Sequence, residues 1–142
     1  MLRNFSVLLT SLLLGGTIAF AQLGSGVAAA LDREATLITI SSADHDGRDR
    51  LIAEIESKIR SAGDAVAALQ QKTGMLTQEA QKAFKDAHTD VRQKEDHLKQ
   101  SLHTAKTAKK DGWTEARSAI KARFTVYADA VAQLEAAANP SK

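Results

Sequence analysis

Between Asp44 and about Thr73, apolar residues return every three or four positions: Ile52, Ile55, Ile59, Ala62, Val66 and Leu69. That step places them on one face of a helix. Asp44, Asp46 and Asp49 stand at its start, where carboxylates meet the positive end of the helix dipole. Gly74, after "QQKT", reads as a C-terminal stop. Gly63 falls inside the pattern and costs about 1 kcal/mol against alanine. A second helix opens at Thr77, an N-cap with Glu79 in the first turn. Its apolar side is Phe84, Ala87, Val91, Leu98, Leu102 and Ala105, interrupted by Lys94. The stripe strengthens through Trp113, Ala116, Ile120, Phe124, Tyr127, Val131, Leu134 and Ala138, until Asn139-Pro140 ends helical structure.

The stretch "KKDGWTEAR" decides how these stripes are joined. Ala80, Val91, Leu102, Trp113 and Phe124 recur eleven residues apart, so one continuous helix from about 77 to 138 would keep its face in phase. Local chemistry points the other way. Lys109 and Lys110 suit a helix end, Asp111-Gly112 suits a turn, and Thr114-Glu115 suits a new start. A continuous helix would reach roughly 90 Å, and the first helix could cover only half of it. A break near Gly112 gives three helices of similar length that cover one another. The expected fold is therefore all-α: an antiparallel three-helix bundle or helical hairpin over 44–138, with a break at Gly112. A continuous helix in an oligomer is the alternative.

Residues 22–43 are rich in Gly, Ser and Ala, and "ATLITI" (Ala35 to Ile40) alternates like a strand with no partner. They read as an irregular or partly helical lead-in. Residues 1–21 read as a signal peptide: Arg3, an apolar run from Phe5 to Phe20, and the small-x-small site Ala19-Phe20-Ala21. The expected mature chain starts at Gln22, in the periplasm or outside the cell, and 139–142 form a tail. The chain has no cysteine, which excludes disulfides, thiolate chemistry and a lipid-modified cysteine. Loss of Arg3 leaves 18 Lys and Arg against 17 Asp and Glu, a net charge of +1. "KTAKK" (Lys106 to Lys110) is the one basic run, a solvated helix face and no sign of nucleic-acid binding.

Candidate chemistry is sparse. "DHDG" (Asp44 to Gly47) opens like a calcium loop, but Ile55 stands where the twelfth-position glutamate belongs, so helix-capping acids are the better reading. His88, His97 and His103, with Asp90, Glu95 and Asp96, raise the question of a metal. Histidines sharing a helix face need a spacing of three or four, and these lack it. Trp113 lies in phase with Ile120, Phe124 and Tyr127 and reads as core rather than ligand pocket. No nucleophile elbow, phosphate loop or dinucleotide fingerprint is present. No catalytic, cofactor-binding or metal-ligating residue is assigned.

The segment "DGWTEARSAIKARFTVYADAVAQLEAA" resembles the C-terminal part of small bacterial exported coiled-coil proteins filed as stress-related, over roughly a fifth of the chain. "LTQEAQ" (Leu76 to Gln81) resembles the Leu-Thr-x-x-Gln motif of the Spy/CpxP group of periplasmic helical chaperones. Here Ala80 occupies the glutamine position, and there is one copy. The first resemblance implies no defined activity; the second implies binding of unfolded clients. The expectation is a non-enzymatic exported helical protein acting through self-association, as a homo-oligomer, or through contact with another envelope protein. The alternative is a chaperone-like binder of unfolded clients or of a membrane surface. Neither nucleic acid nor a cofactor is expected.

Overall fold

Three long helices answer the three apolar stripes. The computed structural model describes residues 26–140; the expected signal peptide and the start at Gln22 lie outside the described residues. Numbered here in chain order, α1 is Val27–Leu31, α2 Arg33–Ser42, α3 Arg48–Gln71, α4 Gln78–Lys106 and α5 Trp113–Ala138. Two 3₁₀ turns, Thr73–Met75 and Lys110–Gly112, complete the elements, and no strand occurs among the described residues.

The buried positions recur by sevens. In α3 they are Ile52, Ile59 and Val66 with Ile55 and Ala62; in α4 Phe84, Val91, Leu98 and Ala105; in α5 Trp113, Ile120, Tyr127 and Leu134. A seven-residue step keeps side chains on one seam between helices crossing at a shallow angle. The eleven-residue recurrence is a seven-step followed by a four-step. Both steps stay on the buried side, so it carries no information about continuity. The chain breaks: α4 ends at Lys106, Thr107 to Lys109 leave the helix, and the 3₁₀ turn leads into α5.

Neither glycine stop works through a left-handed conformation. Gly74 lies inside a 3₁₀ turn, and Gly112 has φ −95° and ψ −1°. No described glycine has positive φ. The residue that does is Asp32, at φ 42°, where it ends α1 and opens α2. Thr77 caps α4 as its sequence suggests, its hydroxyl accepting the Ala80 N–H at 3.2 Å. Charge pairs one turn apart, Lys82–Asp86 at 3.2 Å and Asp90–Lys94 at 3.6 Å, line the solvent side.

The lead-in corrects the expected domain boundary. Residues 27–42 are helical, and Val27, Leu31, Thr36 and Ile40 are fully buried. "ATLITI" is therefore a helix whose Thr36 and Ile40 point inward at a step of four; the buried Thr36 hydroxyl donates to the Leu31 carbonyl at 2.7 Å. The short α1 packs against both α3 and α5, while α3 and α5 scarcely meet directly. The α4–α5 hairpin is the most extensive contact, and α2 runs antiparallel to α5. Arg33 pairs with Asp129 at one end of that contact, and Arg117 reaches Ala43 at the other. Among the described residues the core thus begins at Val27, and the three expected helices gain a fourth, shorter arm.

The two loops at one end are clasped to each other. The Ala43 carbonyl accepts from Trp113 Nε1 at 3.0 Å and from Arg117 Nη1 at 2.9 Å. The Ala108 carbonyl accepts from His45 Nε2 at 3.0 Å and from Arg48 Nη1 at 2.8 Å. Each carbonyl uses both lone pairs. The His45 ring stands edge-on to Trp113, with centroids 6.3 Å apart. Trp113 is core, as its phase indicates, and is also a pin between loops.

Candidate functional site

α3 and α4 do not close along their whole length. The rows that face each other at the rim, Glu56, Arg60 and Gly63 on α3 and Arg92, Glu95 and Lys99 on α4, step by three or four and carry the charge, above apolar lining from Ile59, Val66 and Val91. Gly63 contributes no side chain, and a Cβ built there would meet nothing within 4 Å. The seam is therefore an open groove. Its part nearer the clasp holds about 700 Å³ and runs to His103 and Lys106. Its other part holds about 330 Å³ and reaches His88, with Tyr127 of α5 at the base. Gly63, Glu95 and Lys99 belong to both parts.

Electrostatics along the groove alternates in sign. Lys106 bridges to Glu56 at 2.8 Å and ties the two walls together. Lys99 pairs with Glu95 one turn earlier. Arg60, Asp64 and Arg92 have no ion-pair partner among the described residues. Tyr127 is almost completely buried. Burial first, and the Glu95 carboxylate second, hold its phenol well above the usual value of 10.0. It remains a neutral hydrogen-bond donor at the groove floor.

The singled-out histidines separate. His88 stacks on Phe84, with rings 6.2 Å apart and nearly parallel, and lines the groove. His103 lines the groove as well, but fifteen residues further along α4, roughly 22 Å away. His97 is outside it, its carbonyl accepting from the Ser101 hydroxyl at 3.3 Å. Asp90 is occupied by Lys94. Among the described residues, no three of His, Cys, Asp and Glu cluster as metal ligands. In "DHDG", Asp44 Oδ1 accepts the Gly47 N–H at 2.8 Å, a turn that feeds α3, and His45 serves the clasp.

The groove is not legible in the sequence. A stripe reads as solvated face whether or not a second polar row stands opposite. Gly63 was the available signal: a glycine costs stability inside a helix, and here it marks the widening of the seam. The clasp left no such trace, because its acceptors are backbone carbonyls. No helix among the described residues is long and apolar enough to cross a membrane. Comparison with protein-family models, with curated proteins and with solved structures finds no match to this chain.

Proposed function

We propose that this chain is a non-enzymatic, exported helical protein that works by holding a protein partner along the α3–α4 groove. The observation that carries the reading is where the apolar surface goes. The strong stripe of α5 is covered by α1, α2 and α4 of the same chain. Among the described residues, the exposed large apolar side chains are Ile38, Met75 and Val126, which stand on separate elements. These three side chains do not join into one patch, which weighs against the chaperone-like alternative. The groove instead presents both signs of charge in helical register, with Arg60, Asp64 and Arg92 unspent. Interleaved charges of this kind select a partner by complementarity more than by buried apolar area.

A photo-cross-linking residue placed at Gly63 tests this, since the position is open and faces the groove. In the cell envelope it should join the chain to one defined polypeptide, and Lys99→Glu should reduce that product severalfold. A product of twice the monomer mass identifies a second copy as the partner; any other discrete mass identifies another envelope protein. Indiscriminate labelling, or an equal yield from a probe at Gln93, which is exposed outside the groove, would sink the proposal.

A further inference from the structure

On a different face, α2 and the first half of α5 form a second feature that the groove does not use. A shallow cleft of about 440 Å³ is bounded by Leu37, Ile38, Ser41, Ser42 and Lys121. Against it lies a polar cradle of about 140 Å³, formed by Ser41, Arg117, Ser118 and Lys121. Ser41 and Lys121 belong to both, so an apolar shelf and a cationic cradle share one wall. The cradle contains donors and no carboxylate. Arg117 spends one Nη1 bond on the Ala43 carbonyl, but a guanidinium carries five donors. Lys121 has no ion-pair partner, and the Ser41 and Ser118 hydroxyls have no hydrogen-bond partner, among the described residues. Two cations one turn apart with two free hydroxyls suit a group that only accepts, an oxyanion.

Size and exposure identify what bears that oxyanion. Pockets that enclose a small molecule run from about 300 Å³ upward and bury most of it. The cradle is too small for that and the shelf too open, so the ligand's bulk must lie outside the protein. Ile38 is 69% exposed beside the cradle, which a free inorganic anion would leave in water. We infer that Arg117, Lys121, Ser41 and Ser118 hold the phosphate of an anionic phospholipid at a bilayer surface, with Ile38 and Leu37 entering the boundary between headgroups and chains. None of the acids on α2 and α5 lines the cradle: Asp129 is tied to Arg33 at 3.0 Å, Glu135 accepts the Ala28 N–H at 3.3 Å, Glu34 lies one turn before Ile38 and Glu115 three residues before Ser118. With two cations and one prominent apolar side chain, the contact is reversible and salt-sensitive.

Flotation with vesicles tests the inference, using the chain from Gln22 onward, which contains every described core residue. The protein should float with phosphatidylglycerol vesicles at low salt and remain behind with phosphatidylcholine vesicles. Lys121→Glu should lower the apparent affinity by about tenfold or more, because it removes a cation from the anionic surface and puts a carboxylate in its place. Ile38→Ser should lower it as well, without changing the salt dependence, and Glu34→Gln should raise it. All three positions are exposed, and circular dichroism should show an unchanged helix content. Lys99→Glu in the α3–α4 groove should float like the unaltered chain, which separates this site from the partner groove. Equal flotation with both lipids, or Lys121→Glu and Ile38→Ser floating undiminished, would overturn the inference. So would calorimetric binding of inorganic phosphate by a protein that floats with neither vesicle.

Discussion

Tyr127 shows how one side chain can carry a pH dependence for the whole fold. Its ring belongs to the buried row of α5, while its hydroxyl lies at the base of the groove within the field of Glu95. Ionising it would place a second negative charge in a desolvated position beside the first. The folded phenol therefore keeps its proton at pH values where the unfolded chain has lost it. The unfolded state binds fewer protons over that interval, so stability falls as pH rises. The contribution is complete below pH 10 and drains away above it. Tyr127 is the only tyrosine, so phenolate absorbance reports it alone. In the folded protein that absorbance should stay flat through pH 10 and appear only with unfolding. Tyr127→Phe should flatten the alkaline fall in melting temperature. Titration of the native protein at an ordinary phenol value would show that the hydroxyl is hydrated and the account wrong.

At the scale of elements, the question is what stops and starts each helix. Gly112 is a test of this, because an Asp-Gly pair suggests a turn that needs left-handed glycine. The backbone there is right-handed, and an added Cβ meets nothing within 4 Å. Gly112→Ala should therefore be neutral or stabilising, by up to about 1 kcal/mol, through a less flexible unfolded chain. Thermal unfolding measures it, and a loss beyond about 1 kcal/mol would mean the turn uses a conformation closed to alanine. What holds the turn is the clasp, in which Trp113 and Arg117 reach Ala43 while His45 and Arg48 reach Ala108. The contrast explains what the sequence could disclose. The buried faces of α3, α4 and α5 were legible because Ile52, Val91 or Ile120 announce burial by spacing alone. Thr77 announced its cap by residue type. A carbonyl acceptor such as Ala108 has no residue signature, and the open seam at Gly63 depends on two rows that meet only in three dimensions. The α1–α2 arm was obscured for a different reason. Thr36, Ile38, Thr39 and Ile40 are β-branched and mix inward and outward positions around Leu37, and tertiary burial overrides their strand preference.

The whole molecule depends on that arm. α1 fills the space between α3 and α5, which have little direct contact, and α2 covers the early part of α5. Val27, Leu31 and Ile40 each bury essentially their whole side chains. Burying an aliphatic side chain of this size contributes about 1.5–3 kcal/mol. Three of them together approach the 5–15 kcal/mol by which domains exceed their unfolded states. An α3–α5 fragment would also expose the inner faces that the arm covers, a contiguous apolar strip along α5. Deleting residues 22–42 should therefore do one of two things. Either the fragment loses its cooperative thermal transition, or it associates, burying the strip of α5 against another copy. Light scattering beside a circular-dichroism melt separates these outcomes, and Ile40→Ala in the intact chain, expected to cost about 2–5 kcal/mol, gives the graded version. A monomeric fragment melting within a few degrees of the intact protein would show that three helices suffice and the arm is decoration. The predicted association is informative for another reason. The alternative reading of the sequence, a helix stripe satisfied by other copies, is what this chain should revert to when its own N-terminal arm no longer covers that stripe.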